Sequence, residues 1–234
     1  MAAKLLTDES LYEMIKKAKE EAENKGPRDV YVYIRYFYTP PEQLTLHFSN
    51  KPITDHGGYS VYESYFIDKD EKYSGVPPWY IPTNNGSNVM DITSEPNFIP
   101  TKSIANWFYG LGNVYDWSSV STWDTKYVTD MEGTFGSENR YVSTVSSLDF
   151  LQNWDVSNVT DMSGMFHYNS GISSVEPISE WNVGNVVDMY GMFYECSGIK
   201  TFEPLNNWDV SKVTKHTDMF YRAYGTRPIW GKDW

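Results

Sequence analysis

Over the C-terminal part of the chain the apolar positions return as a block, with no single helical or strand period. The segment Trp154-Asp155-Val156-Ser157-Asn158-Val159-Thr160-Asp161-Met162-Ser163-Gly164-Met165-Phe166 has three further copies, led by Trp123, Trp181 and Trp208, at separations of 31, 27 and 27 positions. A valine follows five positions after each Trp (Val128, Val159, Val186, Val213) and a phenylalanine twelve after it (Phe135, Phe166, Phe193, Phe220). Upstream of each Trp the anchors continue in steps of three: Val114, Trp117, Val120; Val145, Leu148, Leu151; Ile172, Val175, Ile178; Ile199, Phe202, Leu205. Such a period signals stacked units that cannot bury their anchors alone. Within a unit, Val159, Met162, Met165 and Phe166 fall at helical intervals, which predicts a short helix or 3₁₀ turn there. The upstream anchors predict a short extended segment that pairs with its neighbour at about 4.8 Å per layer.

The N-terminal part has a different grammar. Thr7 to Lys25 reads as one helix, capped by Thr7, opened by Asp8 and Glu9, stopped at Gly26-Pro27, with Leu11, Ile15, Ala18 and Ala22 as its apolar stripe. Tyr31 to Tyr38 is β-branched and aromatic, Pro40-Pro41 breaks it, and Leu44, Leu46 and Phe48 alternate with Thr45, His47 and Ser49, the signature of a hairpin. A third strand is predicted over Tyr59 to Ile67, and Val76 to Asn88 reads as a linker. The expected fold class is α+β: residues 1–83 form a small attachment or oligomerisation domain of a helix plus antiparallel strands, and residues 84–234 a four-unit leucine-rich-repeat-like solenoid with a C-terminal cap. So apolar a sheet needs cover on both faces, from the helix and from either the first repeat layer or another subunit.

The repeat Trp-Asp-Val-Ser-Asn-Val-Thr-Asp-Met-Ser-Gly-Met-Phe at 154–166 resembles that of the BspA-like bacterial leucine-rich-repeat surface proteins, over about residues 100 to 222. The lead-in Trp107-Phe108-Tyr109-Gly110-Leu111-Gly112-Asn113-Val114 is similar to that family's entry into its array. The resemblance implies a right-handed solenoid used for adhesion and for protein or glycan binding, on bacterial surfaces or on phage particles. It brings no catalytic residues. Many members carry long arrays, a signal peptide and an anchor, from which these four units depart.

Composition narrows the partners. The formal charge of −12 repels phosphate backbones and anionic membranes, so nucleic acid is not an expected partner. No apolar h-region follows Met1, and no stretch is long enough to span a bilayer, so neither a signal peptide nor membrane insertion is expected. A leader removed beforehand, or exit inside a virus particle, both remain open. The lone Cys196 excludes an internal disulfide and any multi-cysteine metal site.

Chemistry finds little footing. His47, His56, His167 and His216 form no two-histidine metal motif, and Gly110-Leu111-Gly112 lacks the third glycine of a dinucleotide loop. Two acidic ladders, Asp124, Asp155 and Asp209 after the Trp and Asp130, Asp161 and Asp188 six positions on, are read as turn caps, with calcium coordination as the alternative. No cofactor, no metal and no enzymatic activity is expected; a glycan hydrolase, whose mark would be turnover abolished by Asp161→Asn, is the third-ranked reading. The candidate ligand residues are the variable positions: Asp149, Ser174, Glu176, Lys200, Thr201 and Glu203 near the anchor steps, and Tyr168, Tyr190, Tyr194 and Tyr221 around the helix ends, where interlayer packing is the alternative. The aromatic tail from Tyr221 to Trp234 either lids the last layer or docks on another subunit. The leading function is a recognition or adhesion module for a protein or glycan receptor at a bacterial surface or on a phage virion; the alternative is a structural or decoration protein with no outside ligand.

Overall fold

A computed structural model describes residues 28, 30–37, 43–51, 53, 60–70, 72, 89–138, 141 and 143–234. Four strands are present among them: β1 Val30–Phe37, β2 Gln43–Ser49, β3 Ser60–Ile67 and β4 Val89–Ser94. They form one sheet in the order β3-β1-β2-β4. β1 pairs antiparallel with β2 and with β3, Tyr33 standing opposite His47 and Ser64, whereas β4 joins β2 in parallel.

The expected α+β class, an N-terminal helix plus antiparallel strands ahead of a repeat solenoid, is corrected by these elements. No α-helix occurs among the described residues, whose only helical pieces are short 3₁₀ turns, and the sheet is mixed because β4 enters it in parallel. The helix expected over Thr7 to Lys25 lies outside the described residues.

Beyond β4 the chain runs in layers. A row of single-residue parallel bridges links Ser103 to Asp130, Asp130 to Asp161, Asp161 to Asp188 and Asp188 to Lys215. The local structure departs from the expectation mainly in the upstream part of a unit. The upstream anchors, expected extended, carry the 3₁₀ turns at Val120–Thr122, Asp149–Leu151, Glu176–Ile178 and Glu203–Asn207. The segment expected as a short helix or 3₁₀ turn, Val159 to Phe166, forms single three-residue turns and no helix: Gly164 is left-handed at φ 60°, as is Tyr168 just beyond it at φ 63°, which no right-handed helix tolerates. Hydrogen bonds three residues apart, such as Met165 N–H to Met162 O, turn the chain so tightly that Val159, Met162, Met165 and Phe166 are all buried without a helix.

Each motif position has a physical task. The four tryptophans are 3–5% exposed. Trp154, Trp181 and Trp208 donate their indole N–H to Val120, Leu151 and Ile178 carbonyls of the layer before, so the polar end of each ring is satisfied inside the core. The phenylalanines stack through the interior, with Phe108, Phe135, Phe166, Phe193 and Phe220 at centroid spacings from 5.2 to 6.1 Å. Asn158 and Asn185 tie layers through side-chain amides to Lys126 O and Ser157 O, both at 2.7 Å.

Both ends are closed by different means. At the first layer Phe48 of β2 packs on Trp107 at 5.4 Å and Trp123 at 5.3 Å, while Asn50 bonds Ile99 with both side-chain heteroatoms. The first layer thus covers the sheet face that carries Phe48, and one buried cluster runs from Val30 to Ala223. At the last layer the tail folds back as a lid. Trp230 stacks on Trp208 at 6.3 Å and donates to Leu205 O, repeating the geometry of the repeat tryptophans as a fifth rung. His216, which replaces a buried methionine of the other copies, stacks on Trp234 at 4.2 Å.

Candidate ligand-binding groove

Both acidic ladders are occupied by their own backbone. Asp130, Asp161 and Asp188 each accept the amide two residues on (Glu132, Ser163, Tyr190) at 2.9–3.1 Å. Asp155 and Asp209 do the same for Ser157 and Ser211, and Asn182 for Gly184. These are Asx turns, in which a short side chain stands in for a missing backbone partner. Asp130, Glu132 and Asp161 do bring three carboxylate oxygens within 4.8 Å of one another. Lys72 already supplies the positive charge there, 2.9 Å from both Asp130 and Glu132. Burial works against that ammonium, and the two carboxylates outweigh it and raise its pKa.

Beside the ladder lies a column of left-handed residues, one per layer: Asn106, Gly133, Gly164, Gly191 and Asp218, with φ between 57° and 60°. Close approach adds to the need for glycine at Gly133, where a Cβ would fall 2.2 Å from Asn106 Oδ1. At Gly164 the nearest neighbour of such a Cβ is the His167 Cβ, 3.9 Å away, so the backbone there floors open space.

That space is a cleft of about 230 Å³ across three layers. Its floor is Gly133 and Gly164, its aromatic flanks are Tyr109, His167 and Tyr190, and Asn106, Glu132 and Ser163 add polar groups. Tyr190 is 51% exposed, a large ring that stands half in water. His167 Nδ1 lies 3.4 Å from Ser137 O, and since a carbonyl only accepts, the proton sits on Nδ1. Burial depresses the His167 pKa, keeping the imidazole neutral at pH 7. Continuous with the cleft is a row of rings: His167 meets Tyr168 at 4.1 Å and Tyr194 at 4.7 Å, and Tyr194 stacks on Tyr221 at 4.7 Å.

The structure therefore brings four of the ten sequence candidates, Tyr168, Tyr190, Tyr194 and Tyr221, into one aromatic strip with His167. The other six form a separate row at the starts of the 3₁₀ turns. Ser174 Oγ accepts the Glu176 amide, Thr201 Oγ1 accepts the Glu203 amide, and Ser147 plays that part for Asp149, while Lys200 O accepts the Thr226 amide from the tail. The cleft adds Asn106, Tyr109, Glu132, Ser163 and His167, which the sequence did not single out. Their signal is a glycine recurring at one repeat position (Gly133, Gly164, Gly191), followed three residues later by a ring in two of the three copies, His167 and Tyr194.

Residues 102–230, more than half of the chain, match the family described as Mycoplasma protein of unknown function, DUF285. The chain belongs to that family. The match takes in all four tryptophan-led units together with Trp230, and leaves the four-stranded sheet outside it. No curated protein and no solved structure matches the chain. Among the described residues no helix is long and apolar enough to cross a membrane.

Proposed function

We propose that this chain is a non-catalytic recognition module of the BspA-like type, acting at a bacterial surface or on a phage particle, and that the cleft between Tyr109, His167 and Tyr190 binds a neutral glycan. One observation carries the reading: an open groove with a backbone floor and three aromatic flanks, of which Tyr190 stands half in water. Sugar rings offer C–H faces that pack on aromatic rings and hydroxyls that need a few fixed acceptors and donors, here Glu132, Asn106 and Ser163. Two further features support a binding role over catalysis. The repeated carboxylates are committed to turn amides, and the Cys196 thiol is buried, donates to Phe166 O at 3.0 Å and has its pKa pushed up by burial.

The test is a glycan array and a bacterial cell-binding assay on the full chain and on Tyr190→Ala. Binding that Tyr190→Ala weakens by roughly three- to tenfold, the worth of one aromatic stacking contact, supports the reading. A silent array together with unaltered cell binding by the variant overturns it.

A further inference from the structure

One wall of the groove takes its order from outside the repeats. The chain leaving β3 is laid along the first layer by two contacts: Lys69 O accepts the Lys102 amide at 3.1 Å, and Asp70 pairs with the Lys102 ammonium. These ties bring Lys72 to the acidic ladder. Its Nζ stands 2.9 Å from Asp130 Oδ2 and 2.9 Å from Glu132 Oε2.

The acids around that ammonium differ in what holds them. The Asp130 side chain is 12% exposed and is fixed independently of Lys72, accepting the Ser103 hydroxyl at 2.9 Å and the Glu132 amide at 3.1 Å. Asp161 is likewise taken by the Ser163 amide and hydroxyl at 2.9 and 2.7 Å. Glu132 is the exception. Its side chain is 45% exposed and lines the cleft, and among the described residues the partner of its carboxylate is Lys72. A glutamate left free at that position samples many rotamers, and a ligand would have to freeze them out of its own binding energy. Seated on Asp130, Lys72 does that ordering beforehand. It engages Oε2 and leaves Oε1 for a ligand hydroxyl.

We infer that Lys72 is a positioning residue of the groove: braced on Asp130, it holds the Glu132 carboxylate where it accepts hydroxyls of an uncharged sugar. The inference rests on the glycan reading of the cleft. It makes the segment after β3 part of the binding site, although that segment lies outside the repeats. Charge narrows the ligand as well. Asp130, Glu132 and Asp161 bring carboxylate oxygens within 4.8 Å of one another against one ammonium, so sugars bearing carboxylate or sulfate groups are repelled. An ion pair with both members nearly half exposed is screened by salt. Through it the binding of an uncharged ligand becomes sensitive to ionic strength, which apolar stacking is not.

The full chain is put on an array of hexose and N-acetylhexosamine oligosaccharides, with uronate- and sulfate-bearing counterparts, at about 0.01 M and about 1 M NaCl. Binding of the neutral glycans is expected to weaken about two- to fivefold between the two, the worth of one exposed ion pair. Lys72→Met should weaken low-salt binding by the same factor and erase the salt dependence, and Lys72→Arg should restore both. Asp130 keeps its other partners in these variants, so the fold is not disturbed. With Glu132→Ala already present, Lys72→Met should cost nothing further, a non-additivity that general damage does not produce. Tyr190→Ala should weaken binding alike at both salt levels. Salt-independent binding by the unsubstituted chain, undiminished binding by Lys72→Met, or an equal loss from Lys72→Met in both backgrounds would each overturn the inference and leave the glycan reading standing. A silent array, or a preference for the acidic glycans at low salt, removes both.

Discussion

The stack stands or falls with its tryptophans, and Trp154→Ala measures one of them. The indole is 3% exposed, stacks on Trp123 at 6.3 Å and lies 5.8 Å from Phe135. Burying about 200 Å² of aromatic surface contributes about 5 kcal/mol as an upper bound. Its N–H also satisfies Val120 O at 3.0 Å, a carbonyl the truncation leaves unpaired at a cost of about 1–3 kcal/mol. Relaxation around the cavity returns part of this, so the expected loss is about 3–5 kcal/mol. Trp154→Phe keeps a ring and removes the donor, and should cost about 1–3 kcal/mol. Urea unfolding gives the totals, and amide hydrogen exchange should locate the loosening in the layers led by Trp123 and Trp181. A Trp154→Ala loss under about 1 kcal/mol, or one no larger than that of an exposed residue such as Glu176, would refute the account of interlocked rings.

Four further outcomes follow from the geometry. Glu176→Ala, at the exposed start of a 3₁₀ turn, should change stability by less than about 0.5 kcal/mol in the same unfolding assay. Asp161→Ala removes an Asx turn and should cost about 1 kcal/mol, with Asp161→Asn recovering most of it because the amide oxygen still accepts the Ser163 N–H. Gly198→Ala would place a Cβ 2.3 Å from Ser170 O and 2.5 Å from Ile172 O, both backbone, and should lower thermal stability far more than Gly164→Ala, which meets only its own φ of 60°. His167 has a folded pKa below its ordinary 6.5, so the unfolded chain takes up the proton first. Its contribution to stability is therefore full above pH 6.5 and lost as pH falls from there toward the depressed value, and His167→Gln should flatten that part of the pH-stability curve.

Much of the layering was legible because its determinants are short-range and repeated: a ring every 27 or 31 positions that must be inside fixes the units whatever the backbone does between them. The backbone itself was not. Val159, Met162, Met165 and Phe166 have helical spacing, yet Gly164 supplies a positive φ that only a turn uses, and a series of three-residue turns buries the same positions. Trp230 is not legible as a fifth rung because no Asp-Val-Ser follows it; what it shares with the others is a carbonyl partner, which has no sequence signature. β4 lies between the expected linker, Val76 to Asn88, and the expected lead-in at Trp107, where the sequence predicts no element, since a parallel edge strand is specified by its partner β2 rather than by its own six residues. In the groove the tyrosines were visible as variable large residues. His167 carries no such mark, because it has no second histidine at metal-ligand spacing and its place beside Tyr190 depends on stacking two layers.

Because every inner unit presents the same set of partners to the unit before and after it, the number of units is not fixed by the rest of the molecule. A duplicated stretch of 27 residues starting at any motif position meets correct neighbours on both sides, whereas an insertion of 13 residues puts an indole in the slot held by His167 and Tyr194. Between Phe135 and Val145 the chain already holds four residues more than between Phe166 and Ile172, so one corner absorbs length without disturbing the rungs. A gene built this way can change how far its product reaches by unequal recombination alone, leaving both terminal closures untouched.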